Sequence, residues 1–76
     1  MEIFLRTEKS IIKMNDILEV NGKYLVMSTL DRTRQCVLGQ YKEEGRTKQV
    51  LDSIDSVITK HMKADYKTLI IEVPKE

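Results

Sequence analysis

The stretch that decides the fold is Val37-Leu38-Gly39-Gln40-Tyr41, together with the apolar residues that follow it at helical spacing. Valine and tyrosine in a short apolar run are typical of a strand, and this strand ends near Tyr41. The later apolar residues recur every three or four positions, which predicts one helix with a single apolar face. They are Val50, Leu51, Ile54, Val57, Ile58 and Met62. This combination predicts a small domain in which one helix covers a sheet.

Gly39 lies inside that predicted strand, where a glycine indicates a bulge or a close approach by a neighbouring element. Of the two explanations for a close approach, we favour packing against the helix over a ligand site.

Upstream of this stretch, Asn21-Gly22 separates two apolar segments at residues 17–20 and 24–27. The pair favours a type I′ turn, which predicts a tight hairpin with Leu18 opposite Leu25. On the face that we expect in the core lie Leu18, Val20, Leu25 and Met27. The opposite face carries Ile17, Tyr24 and Val26, and no other segment of the chain is predicted to cover it.

The other segments complete a predicted order of strands, one helix and a final strand. Further strands are predicted at residues 3–5, 11–14 and 35–41. The helix lies within residues 42–63 and begins either near the acidic pair Glu43-Glu44 or at Thr47 as an N-cap. Residues 68–73 predict a last strand, placed at an edge because Pro74 cannot donate to a ladder. The predicted fold is α+β: an antiparallel four- to five-stranded sheet with one amphipathic helix packed on one face and a C-terminal strand.

The length of 76 residues corresponds to one domain, spanning residues 1–76. A chain this short buries only about 60% of the surface that its unfolded form exposes, so self-association would add buried apolar surface. The 13 Lys and Arg residues nearly balance the 12 Asp and Glu residues. Nucleic-acid-binding domains usually carry a basic excess, and polybasic membrane binding also needs one.

The composition also indicates a compartment. The one cysteine, Cys36, excludes a disulfide within the chain and favours a reducing environment. Residues 1–6 lack a basic region followed by a long apolar region, so we expect no secretory signal. The apolar runs are much shorter than the ~20 residues that cross a bilayer. We therefore expect a cytoplasmic protein with no membrane role.

No residue pattern in the sequence predicts catalysis, a metal ion or a cofactor. Asp65 follows the only histidine, His61, by four residues, but an Asp–His pair has no nucleophile to activate. Cys36 would need a lowered pKa to react, and one Cys with one His is too few for structural zinc. Asp52 and Asp55 could hold a divalent ion, but we expect them to face solvent on the polar side of the helix. An enzyme or ligand-binding protein using His61 or Cys36 is therefore the last-ranked hypothesis.

Four basic residues, Arg32, Arg34, Arg46 and Lys48, flank the same predicted strand. If they converge, they form a patch for phosphate or nucleic acid. Aromatic residues make up only 5% of the chain, and the stacking pattern of an RNA-binding sheet is absent. A nucleic-acid-binding module is therefore kept as the alternative function.

Four short segments resemble a family of small uncharacterised proteins carried by Gram-positive bacteria and their phages. They are Glu2-Ile3-Phe4-Leu5, Leu38-Gly39-Gln40-Tyr41, Val50-Leu51-Asp52-Ser53-Ile54 and Ile71-Glu72-Val73-Pro74. The chain departs from that pattern at Gly45 and Thr47, where such helices carry helix formers. The resemblance implies a strand–hairpin–strand–helix–strand order and a bacterial or prophage setting. It implies no activity and no functional residues.

These observations favour a non-enzymatic accessory protein of phage or mobile-element type that acts through protein–protein contact. We expect a homodimer, another homo-oligomer or a complex with a protein partner, without a cofactor. The predicted interface residues are Ile17, Tyr24 and Val26 on the hairpin, with Leu69 and Ile71 on the last strand as an alternative.

Overall fold

The computed structural model describes residues 2–63 and 67–76. Its elements, in chain order, are β1 (Glu2–Arg6), β2 (Ile11–Lys13), β3 (Ile17–Asn21), β4 (Tyr24–Ser28), β5 (Gln35–Gln40), α1 (Glu44–Met62) and β6 (Thr68–Glu72). The α+β class and the order of strands, one helix and a final strand are confirmed.

The strands form two three-stranded sheets rather than the predicted single sheet. One sheet has the order β2-β1-β6 and the other the order β3-β4-β5. The β3-β4-β5 sheet is antiparallel throughout, whereas β1 pairs antiparallel with β2 and parallel with β6. The predicted all-antiparallel arrangement is wrong because the parallel partners β1 and β6 are joined by residues 7–67. A connection of that length can bring β6 alongside β1 in the same direction.

The β3–β4 hairpin differs from the prediction in its turn but not in its faces. Asn21 pairs with Tyr24 and Val20 with Leu25, so the turn residues are Gly22 and Lys23. Gly22 has a φ of +60°, and Lys23 does not have a positive φ, which is the pattern of a type II′ turn. The predicted type I′ turn at Asn21-Gly22 is therefore wrong. The register of the hairpin differs from the predicted one by two residues, since Val20 pairs with Leu25 rather than with Lys23. A shift of two residues keeps every side chain on its predicted face, because side chains alternate with a period of two.

The pairing of β4 with β5 shifts register between Leu25 and Val26, which leaves Leu38 as the extra residue of a bulge beside Gly39. The close approach predicted at Gly39 is present, but the neighbour is Tyr41 rather than the helix. A Cβ atom at Gly39 would lie 2.6 Å from the Tyr41 hydroxyl oxygen. Glycine is needed here because the Tyr41 ring folds back over the end of its own strand.

The helix α1 begins at Glu44, which confirms the predicted start near the acidic pair Glu43-Glu44. Glu43 is the N-cap residue, and its side chain makes no capping hydrogen bond. Thr47 is not an N-cap. It lies inside the first turns, fully buried, and its hydroxyl donates to the Glu43 carbonyl oxygen at 3.2 Å. The carboxylate of Glu44 near the N-terminus and Lys60 near the C-terminus suit the helix dipole.

The core lies between the two sheets and the helix, which packs against β3, β4 and β6. Its buried residues are Leu5, Leu25, Met27, Leu38, Tyr41, Val50, Ile54, Ile71 and Val73. Both sheets and α1 contribute, so the two sheets are joined through shared apolar packing rather than through strand pairing. The outer face of each sheet carries exposed apolar side chains: Tyr24 and Val37 on one sheet, and Ile11 and Ile70 on the other.

Candidate interaction surface

The outer face of the β3-β4-β5 sheet carries an apolar patch formed by Ile17, Tyr24, Val26 and Val37. Directly paired residues share a face, and Val26 pairs with both Glu19 and Val37. Val26 is only 2% exposed, whereas Ile17, Tyr24 and Val37 are 37%, 42% and 59% exposed. The patch therefore has a covered centre and three accessible apolar side chains around it.

Ile17, Tyr24 and Val26 lie together on the face where the sequence predicted them, but Val37 was not among the predicted residues. The alternation of Cys36, Val37 and Leu38 along β5 contained the necessary signal. Cys36 packs against the core and Leu38 is buried in it, so Val37 between them points outward.

Among the described residues, one ion pair lies at this face, and its two charges cancel. Arg32 donates to a Glu19 carboxylate oxygen from Nε at 3.0 Å, and its Nη2 lies 2.9 Å from the same oxygen. Glu19 is the cross-strand neighbour of Val26, so this pair lies at the border of the patch. Arg32 reaches it from the β4–β5 loop with a φ of +57°, a conformation that few residues other than glycine adopt.

The loop that presents Arg32 is organised by Asp31. The Asp31 carboxylate accepts hydrogen bonds from the Thr29 hydroxyl at 2.7 Å, the Thr33 hydroxyl at 2.8 Å and the Thr33 amide at 3.1 Å. These bonds favour the charged form and lower the pKa of Asp31, with the Thr29 hydroxyl as the largest cause. The loop conformation that sets Arg32 against Glu19 is therefore held by local hydrogen bonds.

The alternative interface residues on β6 do not form an accessible surface. Ile71 is 6% exposed and belongs to the core, and Leu69 is half-buried and packs against it. Ile70 lies between them and is 56% exposed on the opposite side of the strand. The edge position of β6 is confirmed by the strand order, and the side chains of Leu69 and Ile71 alternate inward. An interface along this edge stays a prediction.

The four basic residues proposed for nucleic acid do not converge. Arg32 and Arg34 belong to the loop after β4, whereas Arg46 and Lys48 lie in the first turns of α1. Arg46 lines a groove with Lys23, which precedes β4, so the two pairs lie at opposite ends of that strand. Arg46 donates to the main-chain oxygen of Glu76 at 2.8 and 3.1 Å, and Lys48 lies 3.8 Å from Glu44.

A different basic group does come together. Lys23, Lys42, Arg46 and Lys75 line one groove beside Tyr41, with a volume of about 580 Å³. No sequence signal linked them, because the β3–β4 turn, the start of α1 and the C-terminal segment meet only in three dimensions. The groove also contains Glu76, which reduces its positive charge.

The other candidate side chains are not arranged around a common site. His61 Nδ1 lies 2.8 Å from the Val57 carbonyl oxygen of its own helix, and Asp65 lies outside the described residues. Cys36 is a half-buried free thiol opposite Met27. Within residues 2–63 and 67–76, no group of three or more His, Cys, Asp or Glu side chains could hold a metal ion. In the same part of the chain, no helix combines the length and apolar character required to cross a membrane.

Comparison with protein-family models, curated proteins and solved structures finds no match to this chain. The resemblance to small proteins of Gram-positive bacteria and their phages therefore stays a prediction.

Proposed function

We propose that this protein is non-enzymatic and acts through protein–protein contact. Its apolar patch of Ile17, Tyr24, Val26 and Val37 binds a second copy of the chain. The observation that carries the proposal is the set of three accessible apolar side chains around the covered Val26. Apolar side chains grouped on one exposed face are a feature of protein interaction sites.

The polar groups around the patch favour a second copy as the partner. In a two-fold contact the same surface meets itself, so any net charge on it would face a like charge. Here Glu19 and Arg32 neutralise one another, and the paired positions at the ends of the strands are the uncharged Asn21, Gln35 and Gln40. A two-fold axis near Val26 would set the Ile17 side of one sheet against the Val37 side of its partner.

The experiment is to measure the molar mass of the wild-type protein and of the double variant Tyr24→Glu/Val37→Glu by light scattering and sedimentation. We expect a wild-type dimer and a folded monomeric variant, with the dissociation constant raised at least about 100-fold, because two exposed apolar contacts are replaced by like charges. The matched control is Ile11→Glu/Ile70→Glu, which charges two similarly exposed residues of the other sheet. A monomeric wild type, or a Tyr24→Glu/Val37→Glu variant that still dimerises, would contradict the proposal.

The alternative function, nucleic-acid binding, is favoured by the groove of Lys23, Lys42, Arg46 and Lys75, which contains Arg46 but not the other three residues that the sequence indicated. Binding of this kind weakens steeply with salt, because each neutralised phosphate releases counterions. It predicts retardation of single- or double-stranded probes at about 50 mM salt, which a Lys23→Gln/Lys42→Gln variant would lose. Absence of retardation at that salt concentration would exclude it.

The setting in a phage or mobile element is proposed only from the resemblance of the four short segments. It does not bear on which surface makes the contact.

A further inference from the structure

A second surface, distinct from the apolar patch, is a groove between α1 and the chain that joins β2 to β3 and continues into β3. It has a volume of about 410 Å³. Its lining residues are Met14, Asp16, Leu18, Leu51, Asp52, Asp55 and Ile58. We refer to it as the acid-rimmed groove.

The floor of the acid-rimmed groove is apolar and only partly covered. Met14, Leu18, Leu51 and Ile58 are all half-buried and pack against the core. Each therefore contacts the interior on one side and lines the open groove on another. Covering such apolar surface is favourable, and methionine adapts its shape readily to an incoming side chain.

The rim is uniformly acidic. Asp16, Asp52 and Asp55 are exposed, and the groove has no basic lining residue. The ion pairs within residues 2–63 and 67–76 are Arg32–Glu19, Lys48–Glu44 and Lys75–Glu8, so none of them neutralises these three carboxylates. Asp52 and Asp55 are also neighbours on one helix face, where like charges are unfavourable. On their other side, Asp52 and Asp55 line a neighbouring groove with Lys60 and Lys63. The negative charge is therefore concentrated on the side of these carboxylates that faces the acid-rimmed groove.

We infer that the acid-rimmed groove binds a short segment of another protein that presents a large apolar side chain flanked by lysine or arginine. The apolar side chain would occupy the floor between Leu18 and Leu51, and the flanking cations would pair with the carboxylates of Asp16, Asp52 and Asp55.

Charge complementarity selects this occupant over others. Phosphate groups of nucleic acid would be repelled by the three carboxylates. The apolar patch on the β3-β4-β5 sheet carries no net charge and does not complement an acidic rim. This inference is independent of the proposed self-association, because the groove shares no residue with that patch.

The test uses the peptide acetyl-Lys-Lys-Leu-Lys-Lys-amide, with acetyl-Lys-Lys-Ser-Lys-Lys-amide as the matched probe without the apolar side chain. The peptides are titrated into isotope-labelled protein and followed by backbone and methyl NMR. We expect saturable shifts at Met14, Leu18, Leu51 and Ile58, and binding of the serine peptide weaker by about 10-fold or more. The affinity should fall with added salt, because the charges are exposed.

Two protein variants separate the groove from general electrostatic attraction. Asp52→Asn/Asp55→Asn removes two rim charges, and Glu2→Gln/Glu72→Gln removes the same charge from exposed positions on the β2-β1-β6 sheet. We expect the first variant to weaken binding about 10-fold and the second to leave it nearly unchanged. Equal effects of the two variants, shifts outside the groove, or no saturable shift with the leucine peptide would overturn the inference.

Discussion

Tyr41 is the residue that joins the end of β5 to the C-terminal segment. Its side chain is 4% exposed, its ring lies over Gly39, and its hydroxyl donates to the Pro74 carbonyl oxygen at 2.7 Å. One side chain thus links the β3-β4-β5 sheet to the segment that follows β6. The buried ring contributes apolar area, and the hydroxyl is satisfied by the Pro74 carbonyl oxygen.

Replacing Tyr41 with phenylalanine should lower the free energy of unfolding by about 1 kcal/mol, because the ring remains but the hydrogen bond to Pro74 is lost. Urea unfolding checks this through a lower midpoint at an unchanged slope. The control is Tyr24→Phe, whose hydroxyl is on an exposed side chain. An effect of Tyr41→Phe no larger than that of the control would contradict the role of the bond.

The same residue gives the domain an alkaline sensitivity. Burial raises the pKa of Tyr41 above its ordinary value of 10.0, and the nearby Arg46 guanidinium offsets part of this effect. Above about pH 10 the unfolded chain loses the phenol proton before the folded chain does, so the free energy of unfolding falls as pH rises. In Tyr41→Phe this part of the decrease should be missing when unfolding is compared between about pH 8 and pH 10.5.

At the scale of the residue, the sequence predicted a close approach at Gly39 but not that Tyr41 makes it. A glycine in a strand indicates that space is needed, and the bulge and the close contact are both present. Which group fills the space depends on how residues 41–43 turn between β5 and α1. That path is set by the packing of the Tyr41 ring in the core and by the hydrogen bond from its hydroxyl to the Pro74 carbonyl oxygen.

At the scale of the element, the β3–β4 hairpin and the start of α1 place two glycines in opposite roles. Gly22 occupies a turn position with a φ of +60°, which an L side chain rarely adopts. Gly45 lies in the first turn of α1 in open space, where a methyl group meets no atom within 4 Å. Replacement by alanine should therefore change the free energy of unfolding in opposite directions at the two positions.

Gly22→Ala should destabilise the domain by about 1–2 kcal/mol, the cost of a left-handed backbone for an L residue. Gly45→Ala should stabilise it by up to about 1 kcal/mol, since alanine has the higher helix propensity and restricts the unfolded chain. Thermal and urea unfolding of both variants provide the measurement. Equal changes in the free energy of unfolding at the two sites would show that backbone conformation does not determine these changes.

The faces of the hairpin could be predicted because the alternation of apolar residues has a period of two. Its turn could not, because Asn21-Gly22 and Gly22-Lys23 are both plausible central pairs that give the same faces. Leu25 must meet a core partner in either register, and pairing it with Val20 rather than Leu18 satisfies the pattern equally well. The choice between them therefore rests on turn geometry and cross-strand packing.

At the scale of the whole molecule, the fold closes through β6. The parallel pairing of β1 with β6 covers Glu2 to Arg6 and extends through a bond from the Val73 amide to the Arg6 carbonyl oxygen at 2.9 Å. Ile71 and Val73 then enter the core beside Leu5. Sequence reasoning found this strand but assigned it no partner, since nothing local distinguishes β1 from the other strands as its neighbour.

Adjacent isoleucines in β6 test this closure. Ile71→Ala should destabilise the domain by about 2–5 kcal/mol because it leaves a cavity in the shared core. Ile70→Ala, one residue away on the exposed side, should cost less than about 1 kcal/mol. Urea unfolding of the pair gives both values, and similar losses at the two positions would argue against β6 as a closing element.

The β1–β6 pairing also has a consequence for biosynthesis. Translation is vectorial, so β1 is made before α1 and its parallel partner β6 only after α1. Until then one edge of β1 has no partner, and nascent chains with open strand edges tend to associate with one another. The β1–β6 pairing therefore forms only after α1 has been synthesised, and until then the nascent chain exposes a strand edge that the folded domain covers.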